Sequence, residues 1–208
     1  MKKNTLKYLY SLPKVRIPSS FGFEASLPIA ISNSVEDGNW AEFGVGIGYS
    51  FKFLLNLLPE NKKLYVFDSF EGLPEDWTEF TPEHTKGHWS DIDKTEIISI
   101  VGSDERLQLY DGWFKDTAPK FAVDTNEYLS IVHIDGDLYS SCIDVLYNID
   151  KLISPGTIIA FDEYYNYGGL AWKKHEYKAF REYIKDFDRD FEYIARTNSY
   201  QVVVRITR

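Results

Sequence analysis

The chain carries only one cysteine, Cys142. That excludes an intramolecular disulfide. Cys142 also sits in an apolar helical stripe, which reads as a buried thiol rather than a nucleophile. No apolar run approaches the roughly 18 residues that a membrane-spanning helix needs. No basic block interrupts a net charge of −9 and a pI near 5.0, so attraction to nucleic acid or to an anionic membrane is not the business of this surface. Met1-Lys2-Lys3 is basic, but Pro13 and Lys14 interrupt the apolar stretch Leu6–Leu12 that follows, which argues against a signal peptide. A cytoplasmic protein is the expectation. Internal repeats and low-complexity tracts are absent too.

What is present suits one globular domain. The 208 residues are 44% hydrophobic and 26% charged, enough for a sizeable core. Aromatics are abundant, with 15 Tyr, 14 Phe and 5 Trp, as core filling or as the lining of a pocket for a flat or sugar-like ligand. Strand-like runs at Asn39–Val45, Lys63–Phe67, Arg106–Tyr110, Tyr128–Ile134 and Thr157–Phe161 alternate with helical patterns at Ser50–Leu58, Thr95–Ile100, Cys142–Ile153 and His175–Phe187. Such alternation predicts an α/β fold with a parallel sheet and crossover helices. Phe191–Arg196 and Gln201–Ile206, joined around Asn198-Ser199, predict an antiparallel hairpin at the sheet edge. Residues 1–38 stand outside the alternation as an N-terminal extension or cap, with 39–208 as the main domain. Residues 71–93 are polar and rich in Trp, His and Pro, and a loop of that length in a compact domain is a lid or binding loop, or else disordered.

Two acidic clusters each close an apolar run. Ile131-Val132-His133-Ile134-Asp135-Gly136-Asp137 is one, and Ile158-Ile159-Ala160-Phe161-Asp162-Glu163 the other. Each reads as a buried strand delivering carboxylates where it leaves the core. Ligands of open α/β sheets bind at the carboxyl ends of the strands. Carboxylates gathered there repel one another unless a cation sits between them. The structural alternative for Asp135 and Asp137 is a turn whose carboxylates cap a helix starting at Ser140 or Ser141. His133, inside the strand, reads as a core histidine. His84 and His88 have the i, i+4 spacing of a helical zinc site, but Gly87 and its neighbours argue against a helix there. Trp77, Phe80 and Trp89 are candidates to cover an acceptor, and Tyr164, Tyr165, Tyr167 and Trp172 to line its pocket or fill the core.

The glycine loop Ala41-Glu42-Phe43-Gly44-Val45-Gly46-Ile47-Gly48-Tyr49-Ser50 joins the first strand to the first long helix. Its G-x-G-x-G spacing is not the G-x-G-x-x-G of dinucleotide enzymes. Glu42 disfavours a pyrophosphate and suits an α-ammonium. Ser50 is placed to cap the helix and bind a carboxylate. Asp68, 24 residues after Gly44, can accept hydrogen bonds from ribose hydroxyls. A nucleoside bearing an amino acid satisfies all three, and S-adenosylmethionine is that molecule.

With Phe67-Asp68-Ser69-Phe70-Glu71-Gly72-Leu73-Pro74, Gly112-Trp113-Phe114-Lys115-Asp116-Thr117, His133-Ile134-Asp135-Gly136-Asp137-Leu138-Tyr139-Ser140 and Ser154-Pro155-Gly156, the chain resembles the macrocin O-methyltransferase family from about residue 39 to about 187. These are class I methyltransferases, many of which methylate sugar hydroxyls in antibiotic biosynthesis. The resemblance implies a Rossmann-like, seven-stranded, mostly parallel sheet with an antiparallel last strand. It implies S-adenosylmethionine and a magnesium-type cation. It makes Asp135, Asp162 and Glu163 the metal ligands and Asp137 the general base. Glu42, Gly44, Gly46, Ser50 and Asp68 would hold the donor, with Gly112 and Trp113 near its adenine. The chain departs from the family at Glu163, where the family usually has a second aspartate, and its N-terminal part is short. The expected partner is a sugar-like hydroxyl acceptor, with a homodimer as the candidate assembly. A catechol-type methyltransferase and a non-catalytic nucleoside-binding module are the alternatives, with a nicotinamide dehydrogenase behind them.

Overall fold

The computed structural model describes residues 2–15 and 26–208; Met1 and residues 16–25 of the N-terminal segment lie outside the described residues. In chain order the elements are α1 (Leu6–Ser11), β1 (Lys14–Val15), α2 (Leu27–Asn33), β2 (Asn39–Phe43), α3 (Tyr49–Leu57), β3 (Leu64–Asp68), α4 (Thr95–Ser103), β4 (Leu107–Asp111), α5 (Phe114–Asp124), β5 (Leu129–Ile134), α6 (Tyr139–Ile149), β6 (Ile158–Phe161), α7 (Glu176–Asp186), β7 (Phe191–Thr197) and β8 (Val202–Ile206). The strands form one sheet in the order β1-β7-β8-β6-β5-β2-β3-β4. Every pairing is parallel except those of β8, which runs against both β6 and β7. The seven expected strands are all there, and the two-residue β1 adds an eighth beside β7. The closing antiparallel hairpin lies toward the sheet edge as expected, with β8 between β6 and β7 and only the two-residue β1 beyond β7.

The central strands β2, β5 and β6 are buried along their whole length. That is why they read as continuous apolar runs rather than alternating ones. Successive side chains point to opposite faces. Ala41, Phe43, Val132, Ile134, Ile159 and Phe161 join one core with Phe121, Leu146 and Phe180 of α5, α6 and α7. Trp40, Ile131, Ile158 and Ala160 join the other with Leu27, Leu54 and Ile97 of α2, α3 and α4. Helix α5 is not evident in the sequence because Pro119 interrupts its pattern, although the helix runs through it. The described parts of the N-terminal segment pack against the sheet: Lys3 carbonyl accepts from Tyr193 N–H, β1 pairs with β7, and α2 lies over β6 and β5.

One device of the backbone sets the working end of the molecule. The parallel ladder continues one residue past the strands: Gly44 N–H donates to Phe67 carbonyl at 2.9 Å, Asp135 N–H to Phe43 carbonyl at 2.8 Å, and Asp162 N–H to Ile134 carbonyl at 3.0 Å. The glycine loop and both acidic clusters therefore leave the sheet side by side. They do so where β2 is flanked by β3 on one side and β5 on the other, the topological switch point of the sheet.

Gly44 is what allows this closeness. Its φ is +97°, and a Cβ there would stand 1.8 Å from the Asp135 carbonyl oxygen. Gly46 also has a positive φ, +51°, but open space around it. Gly44→Ala is therefore expected to cost at least ~3 kcal/mol, combining backbone strain with a backbone clash, and Gly46→Ala about 1–2 kcal/mol from strain alone. Urea denaturation of both variants checks this; equal midpoints for the two would contradict it.

Candidate functional site

A cavity of about 1000 Å³ opens above the switch point. Three sets of residues make its walls: Gly44, Gly46, Ser50, Asp68 and Trp113 on one side; Asp135, Asp137, Asp162 and Glu163 on the floor; Trp77, Phe80, His84 and Trp89 of the 71–93 segment opposite.

The glycine loop is held open by Asp68. Its Oδ2 accepts from the N–H groups of Val45 and Gly46, both at 2.8 Å, and its Oδ1 from Phe70 N–H at 2.7 Å. A carboxylate has about four lone-pair sites, so one direction stays open to a ligand. The sequence points to Asp68 as a ligand contact; in the structure its carboxylate staples the loop. Ser50 does not cap α3. The N-cap is Gly48, with φ +85°, and Ser50 lies inside the first turn and faces the cavity. Glu42 and Gly112 are not on the cavity wall. Glu42 is fully buried beneath it, its Oε1 3.2 Å from Nδ1 of His133.

On the floor, carboxylate oxygens of Asp135, Asp137 and Glu163 lie within 4.8 Å of one another, as a shared cation would need. Asp162 stands outside that trio, with Oδ1 accepting a short hydrogen bond from Gln201 Nε2. Asp137 has φ +61°, a left-handed conformation that aspartate tolerates better than most residues. The turn after Gly136 therefore aims its side chain back over the floor. Burial, and then the charges of Asp162, Asp137, Glu176 and Glu42, hold the Asp135 carboxyl well above the ordinary range. Burial and Asp162 push Asp137 up to about 7. Burial also raises Asp162 and Glu163. These carboxylates do not cap a helix, because α6 begins at Tyr139 with no side-chain cap, and Ser140 and Ser141 lie in its first turn. Ser140 Oγ instead donates to Glu75 Oε1 at 2.6 Å, tying the 71–93 segment to α6.

That segment is ordered by its own bonds. Leu73 N–H donates to His88 carbonyl, Gly87 N–H to Leu73 carbonyl and Trp77 N–H to His84 carbonyl, at 3.0, 2.9 and 2.7 Å. Trp77, Phe80 and His84 stack, with Trp77–Phe80 centroids 4.5 Å apart and Phe80–His84 5.2 Å apart. His84 and His88 are neighbours, 4.7 Å between centroids, but no third ligand joins them among the described residues. Tyr164, Tyr165, Tyr167 and Trp172 are core residues, all buried, and the β7–β8 turn supplies Ser199 and Tyr200 to the wall in their place. Tyr200 owes its position to its carbonyl, which accepts from both Tyr164 and Tyr165 N–H at 3.1 Å.

Two buried residues of the floor do not stand out in the sequence. Gln201 holds Asp162, and Glu176 holds Glu163: Glu176 Oε2 accepts from Glu163 N–H at 3.1 Å. A signal for Glu176 existed. It shares the i, i+4, i+7 stripe with Phe180 and Tyr183, so a carboxylate occupies the apolar face of α7.

The raised Asp137 carboxyl has a consequence for stability. Unfolded, it ionises near 3.8; folded and metal-free, near 7. Folding therefore retains a proton that the unfolded chain gives up between those values. The stabilisation is full below about pH 4 and lost as pH rises through about 7. The Tm of the metal-free protein should fall by several degrees across that window. A flat Tm profile in chelator would count against a coupled carboxylate floor.

Comparison with known proteins agrees with this architecture. A family profile described as Macrocin-O-methyltransferase (TylF) matches residues 23–196. The chain is 32% identical over 141 residues to the 8-demethyl-8-(2,3-dimethoxy-alpha-L-rhamnosyl)-tetracenomycin-C 4'-O-methyltransferase of Streptomyces olivaceus, covering 61% of this chain and 53% of that protein. It is 29% identical over 184 residues to the demethyldecarbamoylnovobiocin O-methyltransferase of Streptomyces niveus, covering 80% and 69%. The chain thus spans about half the length of the first of these relatives. Among solved structures, a calicheamicin methyltransferase superposes with a TM-score of 0.70 at 20% identity, over 90% of this chain and 78% of that one. The O-methyltransferase NovP does so with 0.66 at 24%, over 89% and 78%. At those identities the structural likeness speaks to the fold, a class I Rossmann-like one. Among the described residues no helix is long and apolar enough to cross a membrane. With the family profile spanning most of the sequence, the chain belongs to the macrocin O-methyltransferase family.

Proposed function

We propose that the chain transfers a methyl group from S-adenosylmethionine to a hydroxyl of a sugar or similar polyol, assisted by a divalent cation. The observation that carries this reading is the juxtaposition of the glycine loop with the carboxylate trio in one cavity. The rhamnosyl group in the name of the Streptomyces olivaceus relative supplies the acceptor class.

The floor fits a hard cation. Its donors are carboxylate oxygens, the ligands such ions prefer. Glu163 Oε2 is buried with no hydrogen-bond partner, an atom whose burial a cation would compensate. Asp135 and Glu163 would hold the ion together with Asp162, and Asp137, whose carboxylate lies within 4.8 Å of those of Asp135 and Glu163, would stand beside it. When bound, the donor supplies an electrophilic methyl and the cation polarises the acceptor oxygen.

The rest falls to the chain's own residues. Gly44, Gly46, Ser50, Asp68 and Trp113 bind and orient the donor at the loop wall, with Glu42 buried behind them and Gly112 N–H donating to the Asp68 carbonyl. Asp137 accepts the hydroxyl proton; the positive φ that turns it over the floor gives it reach. Trp77, Phe80, His84 and Trp89 cover the acceptor and exclude water, which makes the 71–93 segment a lid on a single methyltransferase domain. A phenolic acceptor is the second reading, favoured by the stacked rings of Trp77, Phe80 and His84.

Incubation with a panel of glycosides, polyols and catechols, scored by the mass gain of one methyl group, separates these readings. Sugar hydroxyls should be methylated and catechols not. Chelation should lower the rate by about 100-fold or more. Asp137→Asn should lower turnover by about 10² to 10⁴ while S-adenosylhomocysteine still binds in calorimetry. Full activity in chelator would remove the cation, and unimpaired Asp137→Asn would remove the base.

A further inference from the structure

Past β6 the sheet ladder runs out. Asp162 N–H still finds the Ile134 carbonyl, but the next amide, that of Glu163, has no neighbouring strand to donate to. It is taken instead by a side chain from another element, Oε2 of Glu176.

Glu176 is an unusual residue for that place. It is 0% exposed, at the first position of α7, and its other oxygen, Oε1, is buried without a hydrogen-bond partner. An acidic residue in a first turn ordinarily serves the helix dipole from the surface. Here the side chain is turned away from solvent and spends an oxygen on the backbone of the metal-binding turn. It lies close enough to Asp135, Asp137, Asp162 and Glu163 to raise the carboxyls of Asp135 and Glu163 and to have its own raised by burial, Asp162 and Asp137. A buried carboxylate against four others is costly unless the bond it makes is needed.

Building on the cation reading proposed above, we infer that Glu176 is a positioning residue of the cation site: by accepting the Glu163 amide it fixes the turn that sends Asp162 toward Gln201 and Glu163 toward Asp135 and Asp137. Residues that orient metal ligands typically change metal affinity about 10- to 100-fold when altered. Here that effect belongs to the hydrogen bond and not to the negative charge of Glu176.

Two variants separate bond from charge. Glu176→Gln keeps an acceptor oxygen at the same reach and loses the charge. Glu176→Asp keeps the charge and is one methylene too short to reach the amide. Mn²⁺ binding to the full chain, measured by electron paramagnetic resonance and calorimetry, is the readout, with near-UV circular dichroism recording the fold. Glu176→Gln should bind Mn²⁺ within about threefold of wild type, and Glu176→Asp about tenfold or more weakly with its near-UV signal intact. Wild-type affinity in Glu176→Asp would overturn the inference. So would the reverse order of the two variants, or loss of affinity that appears only with loss of the folded signal. No Mn²⁺ binding by the wild-type protein would instead bring down the cation reading and this one with it.

Discussion

Carboxyl groups forced together at the dry end of a sheet are the constraint around which this molecule is arranged. Burial raises the carboxyls of Asp135, Asp137, Asp162, Glu163 and Glu176, and the charge of Asp162 raises the other four further. Nothing in hydrophobic packing asks for this. An ordinary core would replace such groups with apolar ones at a gain in stability. Their concentration at the carboxyl ends of β5 and β6, facing a cavity, is what a protein tolerates for the sake of a ligand.

The scaffold around the cluster keeps it from relaxing. The ladder extensions at Gly44, Asp135 and Asp162 fix three backbone exits relative to one another. Gly44 lets two of them approach more closely than any side chain would permit. Asp162 is held by Gln201, and Glu163 by Glu176. Asp68 ties the glycine loop to the end of β3 by accepting two hydrogen bonds from backbone N–H groups. Each contact converts a flexible loop residue into one whose position is inherited from the sheet, which is how a site on loops gains the precision of a site on strands.

The 71–93 segment shows a different solution. It has no strand or helix of its own, yet its aromatic stack and backbone bonds give it a definite shape. Its composition, rich in Trp, His and Pro, is compatible with both order and disorder. Edge-on contacts of Tyr167 with Trp77 and of Tyr200 with Phe80 join the stack. The aromatics after Glu163 went the other way: Tyr164 and Tyr165 face inward to Tyr193 hydroxyl and Thr197 carbonyl, partners 29 and 32 residues away.

The order of the seven main strands and of helices α3, α4, α6 and α7, the glycine turn and the two acidic strand ends were legible by reading the residues in succession. They are local properties: periodicity tells which side of a strand or helix is buried, and glycines and carboxylates mark where the chain leaves the core. Helix α5 was hidden only because Pro119 breaks its pattern. What reading along the chain could not determine is which distant groups meet. The insertion of β8 between β6 and β7, the pairing of Glu42 with His133, the choice of Ser199 and Tyr200 over the nearer tyrosines as cavity wall, and the arrival of Glu176 under Glu163 depend on register and on the packing of α7 against α6. Those are distances set through space by the whole fold, and no short stretch of sequence contains them.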